Sequence, residues 1–431
     1  MVPTSPPPGA GALSGASGSE APVGSWTVPD VQVGAALADA HRAEWAAVVA
    51  ATARLTGDLD LAEECAQEAF ARAVDLWPTR GIPDRPGAWL TTVAANRARD
   101  VLRREAALRR RFPLLVREEV TDDGGSWHSD DRLRLIFTCC HPALAREAQV
   151  ALTLRLVCGV STADIAAAFL VGESAMAARV TRAKRKIATA RIPFRVPDAW
   201  ELSERVGVVC DVLYLVFTVG HAPPSGDAVV RTDLVEEAIA LTRMLRGLLP
   251  ADRSVAGLLA LMLLIDARRD TRDELLADQD RSRWDRALID EGLALLATAS
   301  AGAVDRYAIS AAIAAVHAQA PTWADTDWTR IAGLYRLLAQ AWQSPVVALN
   351  GAVAIGMRDG PAAGLAAVDA VAADPPLVRY PYLPAARAAF LMELGRWAEA
   401  ADAYAEAARL TGSEAERQRL REQTARARSR A

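Results

Sequence analysis

The 431-residue sequence predicts an all-α fold on three observations. From Gln32 onward, Ala-rich segments of roughly 10 to 20 residues carry apolar side chains at helical spacing. Pro and Gly clusters break these segments, and alternating β-branched runs are few. Residues 1–30 are rich in Pro, Gly and Ser and poor in large apolar groups, so they predict a disordered tail that cannot offset its own ordering entropy. Breaks at 77–87, 118–131 and 220–227 divide the remainder. The second, with Gly124, Gly125 and six carboxylates, is the best linker. The expected organisation is a tail (1–30), a helical module (31–115), a linker (116–131), a second helical module (132–195) and a long helical extension (196–431).

Charge separates the parts. The chain has a net charge of −4, but residues 1–200 carry +1 and residues 201–431 carry −5, so the two halves are expected to have different partners. Five cysteines, an odd number without framework spacing, predict reduced thiols in a cytoplasmic protein. No basic residue precedes Arg42, and no stretch reaches 18 uncharged apolar residues, so neither a signal peptide nor a membrane association is expected. The run TCCHPAL places Cys139, Cys140 and His141 together. Adjacent cysteines without a second ligand pair are poor tetrahedral donors, so the expectation is buried thiols, a capping His before Pro142 and no metal; a redox role stays open. With no Walker loop, G-x-S-x-G or H-E-x-x-H, no enzymatic activity and no cofactor are expected.

The elements follow in order. In GDLDLAEECAQEAFARAVDLW (57–77), Asp58, Asp60, Glu63, Glu64 and Glu68 precede the first basic residue, Arg72. Ala66, Phe70, Ala73 and Trp77 form the expected buried stripe of this acidic helix. The next helix, AWLTTVAANRARDVLRREAALRRR (88–111), carries seven Arg from Arg97 onward against Asp100 and Glu105. Its Trp89 fits the core better than a base-stacking surface. An acidic face beside a basic one suits a protein that holds a protein partner and DNA together. After the linker, STADIAAAF starts with a Ser/Thr cap, LVG makes a tight turn, and ESAMAARVTRAKRKIATARIPFR (173–195) concentrates seven cations against Glu173 alone. Met176, Val180, Ala183 and Ile187 form one stripe of this helix. At about 100° per residue, Arg179, Arg182, Arg185 and Lys186 lie on a separate face. A helix-turn-helix with cations opposite its packed stripe suits a DNA major groove.

These segments, in this order, resemble the bacterial sigma factors of the extracytoplasmic-function (ECF) group, over roughly residues 40–195. The acidic and Arg-rich helices correspond to region 2 and the helix-turn-helix to region 4, with region 3 absent. RLRLIFTCCHPALAREAQVALTLRL, RDELLADQDRSRWDRALIDEGLALL and SPVVALNGAVAI resemble the subgroup with a long C-terminal helical extension. The resemblance implies that Gln67, Glu68 and Phe70 belong to the helix that docks on the β′ clamp helices of core RNA polymerase, with Glu68 the contact and Phe70 core. It implies that Asn96, Arg97, Asp100, Arg103 and Arg104 engage the −10 element; Ala95 departs from the basic residue common there. It implies that Glu173, Ser174, Ala177, Ala178 and Arg179 open the recognition helix towards the −35 element, with Arg182, Lys184, Arg185 and Lys186 on phosphates. Promoter DNA and core polymerase are then the partners, without catalysis.

The alternative is a stand-alone helix-turn-helix regulator whose C-terminal domain senses a ligand; a simple repressor has no need of the QEAF-type helix. In the extension, Gly395, Ala400 and Tyr404 resemble the second half of a tetratricopeptide repeat, and Gly360 precedes Gly395 by 35 residues, close to that repeat's 34. A TPR-like array with an unidentified protein or ligand partner is expected. DQDRSRWD (278–285) reads as an ion-paired helix start. The connection RIPFRVPDAW (191–200), stiffened by Pro193 and Pro197, is short enough to make the extension act on the two modules, either by masking the basic helix or by supporting it.

Overall fold

The structure is a computed structural model that describes residues 28–111, 129–169, 171–223 and 230–431. Every element among them is helical. Helix α1 (Val28–Thr56) begins inside the stretch expected to be a tail, so residues 28–30 are helical; the rest of that expectation lies outside the described residues. Asp58 caps α2 (Leu59–Arg80), accepting from the amides of Asp60 and Leu61 at 2.8 and 3.1 Å. The side chain therefore satisfies donors that a helix start leaves free. Helix α3 (Pro86–Arg111) opens on proline, whose missing N–H costs nothing in a first turn. Ala62, Ala66, Ala69 and Ala73 are buried on α2 and let α1 and α3 approach closely. Trp77 closes that stripe edge-on to Trp89 at 5.9 Å, which places Trp89 against the core as expected.

The second module contains α4 (Ser129–Cys139), α5 (Arg146–Leu152), α6 (Thr162–Ala168) and α7 (Glu173–Thr189). Helix α4 starts two residues before the expected end of the linker; residues 116–128 of that stretch lie outside the described residues. Helix α5 runs into a π-helical turn, Thr153–Val157, where the sequence reads as ordinary helix. Ser161 caps α6 by accepting from the Asp164 amide at 3.1 Å.

The extension comprises α8 (Ala199–His221), α9 (Thr232–Leu248), α10 (Arg253–Asp266), α11 (Arg286–Ala299), α12 (Arg306–Gln319), α13 (Trp328–Ala341), α14 (Pro345–Asp359), α15 (Pro361–Val371), α16 (Tyr382–Glu393), α17 (Trp397–Leu410) and α18 (Glu414–Arg428). Helix α10 is apolar on all sides, and Val255 to Leu264 are buried without interruption, the pattern of a helix enclosed by others. Helices α8, α9, α11 and α12 enclose it. The apolar core is continuous from α1 to α12, so the modules and the first part of the extension share one interior. Beyond it, α14 and α15 pair across Gly360, and α16 and α17 pair across Gly395. These glycines take φ of 97° and 71°, a region that favours glycine. No helix among the described residues is long and apolar enough to cross a membrane.

Candidate nucleic-acid interface

On α7, Met176, Val180, Ala183 and Ile187 are all buried, as the stripe predicts. The opposite face presents Arg182 and Arg185, both exposed and without a side-chain partner among the described residues. Arg179 lies with its guanidinium 5.6 Å from the centre of the Phe169 ring, an arrangement that fixes the direction of the cation. Glu173, Ser174 and Ala177 are exposed at the start of the helix, Ala178 is half-buried, and Lys186 donates to the Ala143 carbonyl. Here α6 and α7 form a helix-turn-helix whose outer face is cationic and whose first turn carries small side chains.

Lys184 does not join that face. It is 8% exposed and donates to Asp60, at 2.9 Å, and to Glu63 of α2. The reason is angular: eight residues beyond Met176 lies about 80° around the helix, on the flank of the apolar stripe. The expected phosphate contact is corrected accordingly. Glu63, itself 6% exposed, also takes Arg155 of the π turn at 2.5 Å and accepts from Gln67 Nε2 at 3.1 Å. Burial lowers the Lys184 pKa, but Glu63 and Asp60 outweigh it and leave the ammonium above its ordinary range. Near this cluster, Arg54 of α1 pairs with buried Asp131 at 3.3 Å. Gly159 takes φ of 68°, and a Cβ there would lie 2.7 Å from His41 Cε1 and 3.0 Å from the Trp45 ring. Both modules thus meet through buried charges and one glycine contact that the sequence reading did not single out. Acidic α2 looked like a solvated or docking face; the only local hint was that Glu63 lies between Leu59 and Ala66 on the buried side.

In the first module, Glu68 and Arg97 meet each other. Glu68 pairs with Arg97 at 2.6 Å and with Arg72 at 3.0 Å, so one expected polymerase contact neutralises one expected −10 contact. Gln67 is exposed, and Phe70 packs on His41 and Trp45 at ring separations of 5.2 and 5.8 Å. Asn96 accepts from Arg99 at 3.0 Å, Arg103 lies 3.5 Å from Asp100, and Arg104 is exposed. Among the α3 residues whose side chains are described, the outward cations include Arg99, Arg103 and Arg104, with Asn96 and Asp100 between them.

Burial pushes the Cys139 thiol well up and that of Cys140 up to about 12, so both stay protonated. His141 Nδ1 accepts from the Ala143 amide at 3.2 Å within the turn after α4. The next helix, α5, starts after Ala145 without a side-chain cap, so the expected capping role is corrected to a turn contact. No group of residues suited to a metal ion occurs among the described residues. In DQDRSRWD, Asp285 caps α11 through the Leu288 amide at 3.1 Å, but Arg281 is not ion-paired. It donates to the carbonyls of His317 and Ala320, both at 2.8 Å, and to Thr326 at 3.1 Å. The motif does start α11, with Arg283 lying 3.7 Å from Glu274, and Arg281 adds a clasp to the end of α12. The extension meets the second module at α4 and α5: Glu237 takes Arg132, Asp211 takes Arg146, and Arg205 donates to the Phe137 carbonyl.

Family models match three stretches of the chain: Sigma-70 region 2 at residues 43–108, Sigma-70 region 4 at 134–187, and a family of unknown function (DUF6596) at 205–300. An uncharacterized protein of Rhizobium meliloti (strain 1021) is 42% identical over 385 residues, covering 85% of this chain and 90% of that protein. No solved structure matches. The region 2 match falls on α1 to α3, with their acidic and Arg-rich faces, and the region 4 match on the helix-turn-helix and the helices that support it. With both modules present in that order, the chain carries the region 2 and region 4 domains of the sigma-70 family of RNA polymerase sigma factors.

Proposed function

We propose that this sigma factor is of the ECF type and acts in the cytoplasm, without catalysis of its own, to bring core RNA polymerase to a restricted set of promoters. The observation that carries the reading is the outer face of α7, where Arg182 and Arg185 stand exposed and unpartnered beside a packed stripe. Phosphates of a −35 element would neutralise these two cations, with Lys186 at the edge. Glu173, Ser174, Ala177, Ala178 and Arg179 would face base edges, where small side chains allow close approach. On α3, Asn96, Asp100, Arg103 and Arg104 would track the −10 strand, with Arg97 held by Glu68 as a positioning residue. Gln67 and the exposed rim of α2 would meet the β′ clamp helices. The extension would be a TPR-like regulatory array, a reading supported by its two glycine-joined helix pairs.

Run-off transcription on genomic templates, with core polymerase and with or without the protein, tests this reading. Specific initiation is expected only when the protein is present. A protein that binds promoter DNA tightly alone but never associates with core enzyme would fit the stand-alone regulator instead.

A further inference from the structure

The turn between α10 and α11 (residues 267–285) is held from several sides. Asp285 N donates to the Ala267 carbonyl at 2.7 Å, Trp284 Nε1 to Thr271 Oγ1 at 3.1 Å, and Arg283 to the Asp270 carbonyl at 2.9 Å. Arg281 ties the turn to the end of α12, and Arg419 of α18 donates to the Asp273 carbonyl at 2.7 Å. Two half-buried guanidiniums, Arg268 and Arg272, come from this fixed segment, and neither makes a side-chain hydrogen bond or an ion pair among the described residues. Arg272 Nε is buried with no partner.

The neighbours of Arg268 are cationic or aromatic, whereas Arg272 has one carboxylate, Glu416, among its neighbours. Burial first, and then the charges of Arg272 and Arg281, lower the Arg268 pKa to about 10; Tyr335 is its other neighbour. Arg272 lies near Tyr382, Arg419 and Glu416. Glu416 is already engaged, by Thr411 Oγ1 at 3.0 Å and the Tyr382 hydroxyl at 3.3 Å. His221, stacked on Phe217 and 8% exposed, faces Arg272, Arg268 and Arg269, and its Nε2 has no partner. His317 faces Arg268 and Arg281, and its Nδ1 has no partner. A groove of about 380 Å³ lined by Arg243, Asp266 and Arg269 differs in this respect. There Arg269 is bidentate on Asp266, Arg243 is paired with Glu291, and the charges are already balanced.

A buried cation without a counter-ion is destabilising unless something neutralises it. Planar guanidinium forks match the oxygens of phosphate and carboxylate groups. We propose that Arg268 and Arg272, with His221 and His317 beside them, form a binding site for a small-molecule oxyanion, a phosphate- or carboxylate-bearing ligand. The unpartnered imidazole nitrogens supply neutral hydrogen-bonding groups, and Tyr335 and Tyr382 supply walls for the body of the ligand. Binding here is independent of whether α7 meets promoter DNA.

The test is calorimetric titration and thermal unfolding of the full chain with inorganic phosphate and, separately, succinate, each against sodium chloride at matched ionic strength. A saturable heat and a saturable rise in Tm are expected for at least one anion. A response to phosphate alone assigns a phosphate-bearing ligand, and a response to succinate alone a carboxylate-bearing one. Arg272→Gln and Arg268→Gln should each weaken binding at least tenfold and, in anion-free buffer, melt no lower than the parent, because each removes an unneutralised charge. Arg272→Lys keeps the charge without the fork and should also bind more weakly. Exposed Arg409, far along α17, provides the control, and Arg409→Gln should respond as the parent does. No saturable response to either anion, or an undiminished response in both Gln variants, would overturn the assignment.

Discussion

Glu63→Gln is the substitution to which the two-module arrangement should be most sensitive. The Glu63 carboxylate lies between two cations, Lys184 and Arg155, and its side chain is 8% exposed. Removing one member of a buried pair costs roughly 3 to 5 kcal/mol, because the remaining charge is left without compensation. After the change Lys184 keeps Asp60, which is 65% exposed and screened by water, and Arg155 keeps the Val160 carbonyl at 3.2 Å. Those remaining partners place the expected loss at the lower end, about 3 kcal/mol. Lys184→Met leaves Glu63 with Arg155 and Gln67 and keeps the aliphatic bulk, so about 1 kcal/mol is expected. Urea unfolding measures both losses, and small-angle scattering reads whether the modules separate; Glu63→Gln should enlarge the radius of gyration more than Lys184→Met. Because the Lys184 pKa is raised on folding, this contribution is complete at neutral pH. It is lost only as pH rises above the ordinary lysine range, through the folded value. Equal effects of the two substitutions, or a loss below about 0.5 kcal/mol for Glu63→Gln, would refute the assignment of Glu63 as the centre of the junction.

Arg182→Ala and Arg185→Ala should each reduce the salt slope of DNA binding by about 1, whereas Arg179→Ala should change discrimination within the site by about 1 to 3 kcal/mol; salt-titrated binding to cognate and mismatched duplexes separates the two. Gly159→Ala places a Cβ against His41 at positive φ and should lower stability by about 1 to 3 kcal/mol in thermal unfolding, more than Gly172→Ala, where the space is open. Burial first, and then Arg272 and Arg268, lower His221 to about 2, while burial first, and then Arg268 and Arg281, lower His317 to about 4. Both therefore stay neutral when folded but take up protons when unfolded below about 6.5, and stability should fall with pH from there, by about 2 kcal/mol per histidine at pH 5. His221→Phe should reduce the loss at pH 5 by about 2 kcal/mol, as measured by urea unfolding across pH in anion-free buffer.

Local periodicity made the α7 stripe legible: Met176, Val180, Ala183 and Ile187 announce one face without reference to anything distant. The same wheel already placed Lys184 at the margin of that face, so its departure from the DNA side was available in the sequence. Glu63 was not. Its burial depends on a lysine 121 positions away, and no local spacing encodes that partner. DQDRSRWD misleads for the same reason, since its charges could satisfy one another locally while the real acceptors of Arg281 lie 36 to 45 positions on. The π turn at Thr153–Val157 is equally silent, because one widened turn leaves the apolar pattern of ALTLRLV unchanged.

The junction and the proposed function constrain each other. Elements at −10 and −35 are about 25 base pairs apart, which at 3.4 Å per step is about 85 Å. Helices α2 and α7 are in contact here through Lys184. If the protein holds both elements as proposed, the Glu63 cluster would have to open. The extension travels with the second module in such an opening. Its carboxylates Asp211 and Glu237 hold Arg146 and Arg132 of α5 and α4, whereas the acidic groups that meet α7 are Asp60 and Glu63 of the first module. The expectation that an acidic array would cover the basic helix thus gives way to a different division of labour. The extension holds the helices behind the recognition helix, and under the proposed function the cluster on α2 would restrain that helix until DNA and polymerase compete for the same two modules.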